Sequence, residues 1–271
     1  MQYRSRAIYI SYLLLDFCLG IALMLINLPL RAEIPKQLAI CDIGGEYPPF
    51  SYYKRENGQP SGEVTGFAVD YVRAILRAHD ISATVDLIPW KRCQAEVVTG
   101  RYAMLLSAAN NPERERVYLI SKTYYAVHEI YFYAKDKPFP KLENVDNMRR
   151  LKICGQSGFT YLRYGLRDEE IETMAKNFPQ AMEMLKAHRC DIVLGRLEVA
   201  AGYQYTNGID YTQSADFGWA MLKGMEPTAF HIMVSRNLPY SAELLDLINR
   251  GIDQAGTCRT TTAIRRDTMS N

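Results

Sequence analysis

The sequence predicts an α/β protein made of two lobes, each a mostly parallel sheet flanked by helices. Strand-like and helix-like runs alternate from residue 37 to residue 106, and a second alternating series begins at residue 151. Such alternation is typical of βαβ units. The segment "AKDKPFPKLENV" (134–145) lies between the two series, contains two prolines and indicates a connector.

Each element is assigned from its own pattern, and the apolar residues of the first helix recur at helical spacing. In the first series we predict strands at 37–42, 83–88 and 103–106 and helices at 66–79 and 91–98. The strand "EIYFYAK" follows, and the second series has predicted strands at 151–155 and 191–195 and helices at 159–166, 168–176 and 179–188. The tail adds the strand "TAFHIMVS" and the helix "SAELLDLINRGIDQA".

The chain has 271 residues, of which 48% are hydrophobic, so it is long enough for one or two globular domains. Residues 1–32 contain Arg4 and Arg6, then a long apolar run, then an imperfect small-residue cleavage site. This pattern is typical of a secretory signal peptide, and we therefore expect a periplasmic protein. The alternative is an uncleaved membrane anchor, which Asp16 within the apolar run disfavours.

The charge balance argues against a nucleic-acid partner. Removal of residues 1–32 takes away three arginines and one aspartate, which leaves 29 basic and 29 acidic side chains. The slight basicity of the whole chain therefore belongs to the targeting segment, and no clustered basic surface is indicated. We expect a monomer that binds a small molecule.

Five cysteines remain after residue 32, and an exported compartment permits disulfides between them. The odd number leaves at least one thiol unpaired. Cys154 and Cys190 are the expected pair, because both fall on predicted strands of the same lobe. The cysteine spacing gives no metal motif, and no cofactor motif is found elsewhere in the sequence.

The stretch "LLSAANNPERERVYLIS" (105–121) contains the first candidate binding residues. Asn111 and Pro112 predict the start of a helix directly after a strand and a loop with Ser107. Arg114 then lies in the first helical turn, where the helix dipole disfavours a cation. Free N–H groups, a hydroxyl and a guanidinium suit a carboxylate ligand. The alternative is that Arg114 pairs with a neighbouring glutamate on the helix surface.

Six motifs follow one another along the chain, namely "YPPFSYY" (47–53), "GEVTGFAVDYV" (62–72), "PWKRCQAEVVTGRY" (89–102), "NPERERVYLISKTYY" (111–125), "QSGFTY" (156–161) and "LKAHRCDIVLG" (185–195). Their order resembles the family 3 extracellular solute-binding proteins, which are the amino-acid-type receptors of ABC importers. The resemblance implies a type II periplasmic-binding-protein-like fold, whose two hinged lobes close on a ligand. It implies lobe 1 at 33–135 plus 229–271 and lobe 2 at 136–228.

The same resemblance implies roles for individual residues. Arg114 matches the arginine that grips the α-carboxylate of the ligand, and Ser107 matches a carboxylate-binding position beside it. Thr160 matches the threonine of the second lobe that closes over the same group. Tyr47 matches the aromatic wall of the first lobe, and Trp90 is expected to line or support the cleft, with core packing as the alternative for both rings.

Two positions depart from the family pattern. Ala109 stands where a serine or threonine is usual, and Arg196 stands where an acid usually pairs with the ammonium group of the ligand. A cation at Arg196 would repel an α-ammonium group, unless Glu198 reaches the ligand instead. If Arg114 and Arg196 both face the cleft, we expect an anionic ligand such as a dicarboxylate. The alternative is that Arg196 points into solvent.

The resemblance therefore predicts a receptor that captures a small anionic or amino-acid-like solute and delivers it to an ABC permease. A ligand sensor tethered to the membrane, which signals to a partner, is an alternative with the same closing mechanism. A dehydratase-type enzyme on this fold is a further alternative. Among the histidines only His128, at the start of the crossover strand, is considered for acid–base chemistry.

Overall fold

The computed structural model describes residues 32–157, 159 and 161–255. The predicted signal peptide, Thr160 and Cys258 lie outside the described residues. The strands are β1 (Gln37–Ile43), β2 (Tyr52–Glu56), β3 (Gln59–Thr65), β4 (Ser82–Ile88), β5 (Met104–Ala109), β6 (Tyr118–Ile120), β7 (Tyr125–Val127), β8 (Glu129–Ala134), β9 (Ile153–Gln156), β10 (Glu172–Ala175), β11 (Ile192–Arg196), β12 (Phe217–Ala220) and β13 (Thr228–Ser235). The helices are α1 (Phe67–Arg77), α2 (Trp90–Val98), α3 (Pro112–Val117), α4 (Val145–Met148), α5 (Phe178–Lys186), α6 (Leu197–Gly202), α7 (Gln204–Asn207) and α8 (Ser241–Ala255).

Two mixed sheets form the framework of the two lobes. The first has the order β4-β1-β5-β13-β6, with β7 also paired to β13. The second has the order β10-β9-β11-β8-β12. Pairing is parallel between β1 and its neighbours β4 and β5, and between β9 and its neighbours β10 and β11. It is antiparallel around β13 and β8, because these strands enter or leave the lobe at the crossovers.

The chain passes between the two sheets at two places. On the outward path only His128 separates β7 of the first sheet from β8 of the second. On the return path residues 221–227 join β12 to β13. The first change of sheet thus comes before β8, earlier than the boundary predicted after residue 135. The strand pattern of "EIYFYAK" gave no information about which sheet the strand joins.

Most predicted elements are present within two or three residues of their expected bounds. The helices predicted at 159–166 and 168–176 are wrong. The described part of this segment has two short 3-10 turns, Leu162–Tyr164 and Asp168–Glu170, followed by the strand β10. Gly165 ends the first turn with a left-handed backbone (φ 71°), and β10 pairs with β9. Sheet pairing therefore outweighs the local helical pattern.

Among the described residues, each lobe contains one disulfide. Cys154–Cys190 links β9 to the loop just before β11, with a Cα–Cα distance of 5.8 Å. The predicted disulfide is confirmed. Cys41–Cys93, which the sequence did not single out, links β1 to α2 with a Cα–Cα distance of 5.8 Å. Both bridges fasten a helix-side segment to a central strand.

Candidate functional site

Arg114 is positioned by a short helix at the end of a buried strand. β5 ends at Ala109, and α3 begins after Asn111, whose side chain accepts a hydrogen bond of 2.8 Å from the Arg114 N–H. The predicted helix start is therefore confirmed. The Arg114 side chain turns back toward the strand, where Nη1 donates to the Ala109 carbonyl at 2.5 Å and the guanidinium lies 5.6 Å from the Trp90 ring centroid.

The charge of Arg114 has no carboxylate partner among the described residues. Neither Glu113 nor Glu115 forms an ion pair with it within residues 32–157, 159 and 161–255, and Glu115 instead accepts a hydrogen bond from Asn110. Burial lowers the pKa of the Arg114 guanidinium, and the nearby cation Arg196 lowers it further. An anion brought into contact with Arg114 would offset both effects.

Ser107 is buried and held by a carboxylate from the adjacent strand. Its N–H donates to Asp42 Oδ1 at 3.2 Å, and its Oγ donates to Asp42 Oδ2 at 2.8 Å. Asp42 is at the end of β1 and is fully buried, which raises its pKa above the ordinary value of 3.8. The Asp42 carboxyl thus holds Ser107 in place at the wall of a small cavity.

Arg196 points inward and is paired within its own lobe. It is the last residue of β11, directly opposite Glu129 on β8 in the antiparallel register. Its Nε donates to Glu129 Oε1 at 3.1 Å, and its Nη1 donates to the Tyr47 hydroxyl of the first lobe at 2.9 Å. The side chain of Arg196 is only 13% exposed, so the alternative of a solvated arginine is wrong.

Aromatic rings surround the Arg196 guanidinium. Its central carbon lies 5.1 Å from the Phe230 ring centroid, 5.8 Å from that of Phe159 and 6.0 Å from that of Tyr47. Although burial lowers the pKa of Arg196, the carboxylate of Glu129 raises it well above the ordinary value. The arginine is thus a charged, hydrogen-bonded and ring-enclosed group at the inner end of the cleft.

The described residues of the two lobes enclose cavities along the cleft. Two are about 20 Å³ each, and Arg196 and Phe159 line both of them. Ser107, Trp90 and Arg114 line one of these small cavities. Phe159 also lines a cavity of about 840 Å³, in which Arg114 and Gln94 of the first lobe face Ser157 and Thr173 of the second. The small cavities each have room for roughly one water, whereas the large one is in the range of ligand pockets.

Contacts between the 46–55 segment and the helices α6 and α7 hold the lobes together. The Arg55 guanidinium is paired with Glu46, and its Nε donates to the Thr206 carbonyl of α7 at 3.0 Å. Gly202 of α6 lies directly against the backbone of Pro48, so that an added Cβ would be 2.5 Å from the Pro48 carbonyl carbon. These contacts join the 46–55 segment of the first lobe to the second lobe.

The sequence matches a known family over nearly all of this structure. The model of the bacterial extracellular solute-binding proteins, family 3, matches residues 40–267, which include every cleft residue described above and both sheets except the first three residues of β1. The chain belongs to this family. A comparison with curated proteins found no significant match. The family 3 fold predicted from the sequence is confirmed.

Solved structures of other substrate-binding proteins share the fold of this chain. A histidine-bound substrate-binding protein of an ABC uptake transporter from Streptococcus pneumoniae is 18% identical, with a TM-score of 0.65 over 81% of this chain and 86% of that one. The arginine-bound, truncated ArgBP from T. maritima is 19% identical, with a TM-score of 0.66 over 82% and 97%. An ancestral arginine-binding protein bound to glutamine is 19% identical, with a TM-score of 0.64 over 82% and 92%.

In this family 3 solute-binding protein, the structure brings together all of the predicted site residues that it describes. Arg114, Ser107, Trp90 and Arg196 line one small cavity, and Tyr47 joins them through its hydrogen bond with Arg196. Thr160 lies outside the described residues. The role of each residue in ligand binding stays a prediction.

Sequence reasoning missed two important residues of the solute-binding protein. Phe159 belongs to the motif "QSGFTY", whose predicted ligand-binding residue is Thr160 alone, yet Phe159 lines the large cavity and both small ones. Glu129 opens the strand β8, and nothing in the sequence indicates that it faces Arg196, because that pairing depends on the register of β8 with β11. Of these two residues, only Phe159 could have been identified from a sequence motif.

His128, the histidine considered for catalysis, lies at the first crossover of this solute-binding protein. Its Nδ1 is 2.6 Å from Glu198 Oε1, and Glu198 is buried at 2% exposure. Glu198 also accepts a hydrogen bond of 2.9 Å from the His128 N–H. Both carboxylate oxygens of Glu198 therefore contact His128 at the crossover, and Glu198 does not replace the missing acid in the cleft.

Two further findings concern the described part of the solute-binding protein. Within residues 32–157, 159 and 161–255, no helix combines the length and apolar character needed to cross a membrane. In that part of the chain no group of three or more His, Cys, Asp or Glu residues is placed to hold a metal ion.

Proposed function

We propose that this protein is a periplasmic receptor that captures a small, carboxylate-bearing solute in the cleft and presents it to an ABC permease for import. The unpaired guanidinium of Arg114 is the observation that supports this proposal. It is half-buried and lines both the large cavity and one of the small cavities. A carboxylate is the natural partner for such a group because it can accept two parallel hydrogen bonds.

One carboxylate is enough to complete the site. The expectation of a dicarboxylate required two uncompensated arginines, but Glu129 neutralises Arg196. An amino-acid-like monocarboxylate therefore fits the charge of the cleft as well as a more acidic solute does. The ligands bound in the compared structures are histidine, arginine and glutamine, and each has an α-carboxylate.

Binding would act by shifting the balance between open and closed lobes. The large cavity has first-lobe residues such as Arg114 and Gln94 on one side and second-lobe residues such as Ser157 and Thr173 on the other. A solute that contacts both sides favours the closed arrangement by its differential affinity. The permease would then recognise the closed receptor.

The experiment is calorimetric titration of the exported protein with a panel of amino acids and small mono- and dicarboxylates. For the ligands that bind, Arg114→Ala should weaken affinity by about 30- to 1000-fold, since removal of a partly buried charged partner costs about 2–4 kcal/mol. The free energy of unfolding of ligand-free Arg114→Ala, measured in urea, should differ from that of the wild type by less than about 1 kcal/mol.

Arg116→Ala is the matched control, because Arg116 is on the same short helix but is exposed. Its affinity should equal that of the wild type. Equal affinity in Arg114→Ala and the wild type, or binding restricted to solutes that lack a carboxylate, would overturn the proposal.

A further inference from the structure

The inner end of the cleft is a complete binding site for a guanidinium group, and the protein's own arginine occupies it. The buried Glu129 carboxylate supplies the counter-charge, the Tyr47 hydroxyl accepts a hydrogen bond, and three aromatic rings enclose the group. These are the features by which proteins recognise a cationic ligand. The remaining space beside Arg196 is about 20 Å³ in each small cavity.

The Glu129 side chain is buried and held in place by hydrogen bonds. It is 4% exposed and accepts hydrogen bonds on the same oxygen from Arg196 Nε at 3.1 Å and from Thr228 Oγ1 at 2.8 Å. Glu129 and Thr228 open the strands that follow the outward and return crossovers, so the carboxylate is anchored at the hinge whether or not Arg196 is present. Removal of Arg196 would leave a buried, uncompensated carboxylate within an aromatic enclosure.

We infer that Arg196 is a specificity-determining residue, which fills a guanidinium site formed by Glu129, Tyr47, Phe159 and Phe230 and so excludes cationic groups from the inner cleft. This inference rests on the proposed role of the cleft as a solute site. A solute is thereby confined to the large cavity, with its carboxylate on Arg114. A basic amino acid cannot place its cationic side chain at the inner end while Arg196 is there.

The test is chemical rescue of Arg196→Ala with methylguanidinium chloride, followed by thermal unfolding, with equal sodium chloride as the salt control. Methylguanidinium should raise the apparent Tm of Arg196→Ala in a saturable way and leave the wild type unchanged, since a ligand stabilises the state that binds it. L-Arginine should bind Arg196→Ala at least tenfold more tightly than it binds the wild type.

The double variant Arg196→Ala/Glu129→Gln is the matched control, because it keeps the rings and the vacated volume but removes the carboxylate. Its half-saturating concentration of methylguanidinium should be at least tenfold higher than that of Arg196→Ala. If Arg196→Ala is isolated unfolded, the same titration is followed as recovery of the near-ultraviolet circular dichroism of the folded protein.

The inference would be overturned if methylguanidinium changed the apparent Tm of the wild type and of Arg196→Ala equally. It would also be overturned if an unfolded Arg196→Ala did not recover, or if the double variant responded to methylguanidinium as strongly as Arg196→Ala does. The outcome is separate from that of the proposed function. Carboxylate binding by the wild type without rescue of Arg196→Ala would refute only the guanidinium site. Rescue of Arg196→Ala by a protein that binds no carboxylate would refute only the proposed receptor role.

Discussion

At the scale of single residues, the site depends on how buried charges are compensated. Arg196 is neutralised by the residue opposite it on the neighbouring strand, whereas Arg114 is held by a carbonyl and an aromatic ring. The two arginines differ because Glu129 lies in register with Arg196, while no described acid reaches Arg114. Arg114 is therefore the arginine whose charge a carboxylate of the solute can neutralise.

Asp42 supplies a residue-scale prediction of pH dependence. Burial raises its pKa, so the folded chain holds the proton more tightly than the unfolded chain. The stability that this proton contributes is complete below the ordinary value of 3.8 and is lost as the pH rises through the raised value. The wild type should therefore lose stability relative to Asp42→Asn as the pH increases above that ordinary value.

Urea unfolding of both proteins without ligand, over a series of pH values, measures this difference. The asparagine side chain is neutral throughout and can still accept the Ser107 N–H, so other titrating groups cancel in the comparison. A constant difference across the acidic range would show that Asp42 titrates alike in the folded and unfolded chains.

At the scale of elements, the helix α2 connects the core to the site. It contains Trp90 and Gln94, which face the cleft, and Cys93, which is bonded to Cys41 on the central strand β1. The bridge thus fixes the helix against the sheet at the level of the site. The second bridge, Cys154–Cys190, fixes strands of the other lobe and has no residue beside Arg114.

We therefore expect the two bridges to differ in their effect on binding. Cys41→Ala/Cys93→Ala should lower the free energy of unfolding by about 2–4 kcal/mol, as is usual for the loss of a native disulfide. It should also weaken binding of carboxylate solutes, because Trp90 and Gln94 are no longer held against the strand. Urea unfolding and calorimetry measure the two effects.

Cys154→Ala/Cys190→Ala is the control for this prediction. Its loss of stability should be similar, because the sequence separations of the two bridges are 36 and 52 residues and loop-closure entropy depends weakly on length. Its affinity for carboxylate solutes should change less than that of Cys41→Ala/Cys93→Ala. Equal losses of affinity in both variants would show that α2 is held in place without its disulfide.

At the scale of the whole molecule, closure depends on the two crossovers and on direct contacts between the lobes. The chain changes sheet at His128 and again at 221–227, and the Pro48 backbone of the first lobe packs against Gly202 of the second. A β-carbon at Gly202 would lie 2.5 Å from backbone atoms, which is closer than packed atoms approach. The lobes must move apart to accept it.

Gly202→Ala should therefore shift the protein toward an open arrangement. Small-angle X-ray scattering of the ligand-free variant should give a larger radius of gyration than that of the wild type, and saturating ligand should restore it only partly. Ligand affinity should fall because part of the binding energy is needed for closure. Gln204→Ala, an exposed neighbour, should match the wild type in both measurements.

The sequence by itself determined the family, the alternation of strands and helices, the capped helix at Asn111 and the cluster of residues around Arg114. These features depend on short-range patterns, namely the periodicity of apolar residues, the chemistry of helix caps and the order of motifs. A helix start is fixed by a few adjacent residues, so it can be recognised in one stretch of chain.

Only the tertiary structure decided the strand β10, the neutralisation of Arg196 by Glu129, the position of Phe159 and the Cys41–Cys93 bridge. Each depends on segments that are distant in sequence, and Glu129 and Arg196 meet only because β8 and β11 pair in one particular register. A shift of one of these strands by one residue would turn its side chain to the other face of the sheet, away from its partner. The charge of the cleft is therefore a property of strand register, which local sequence patterns do not specify.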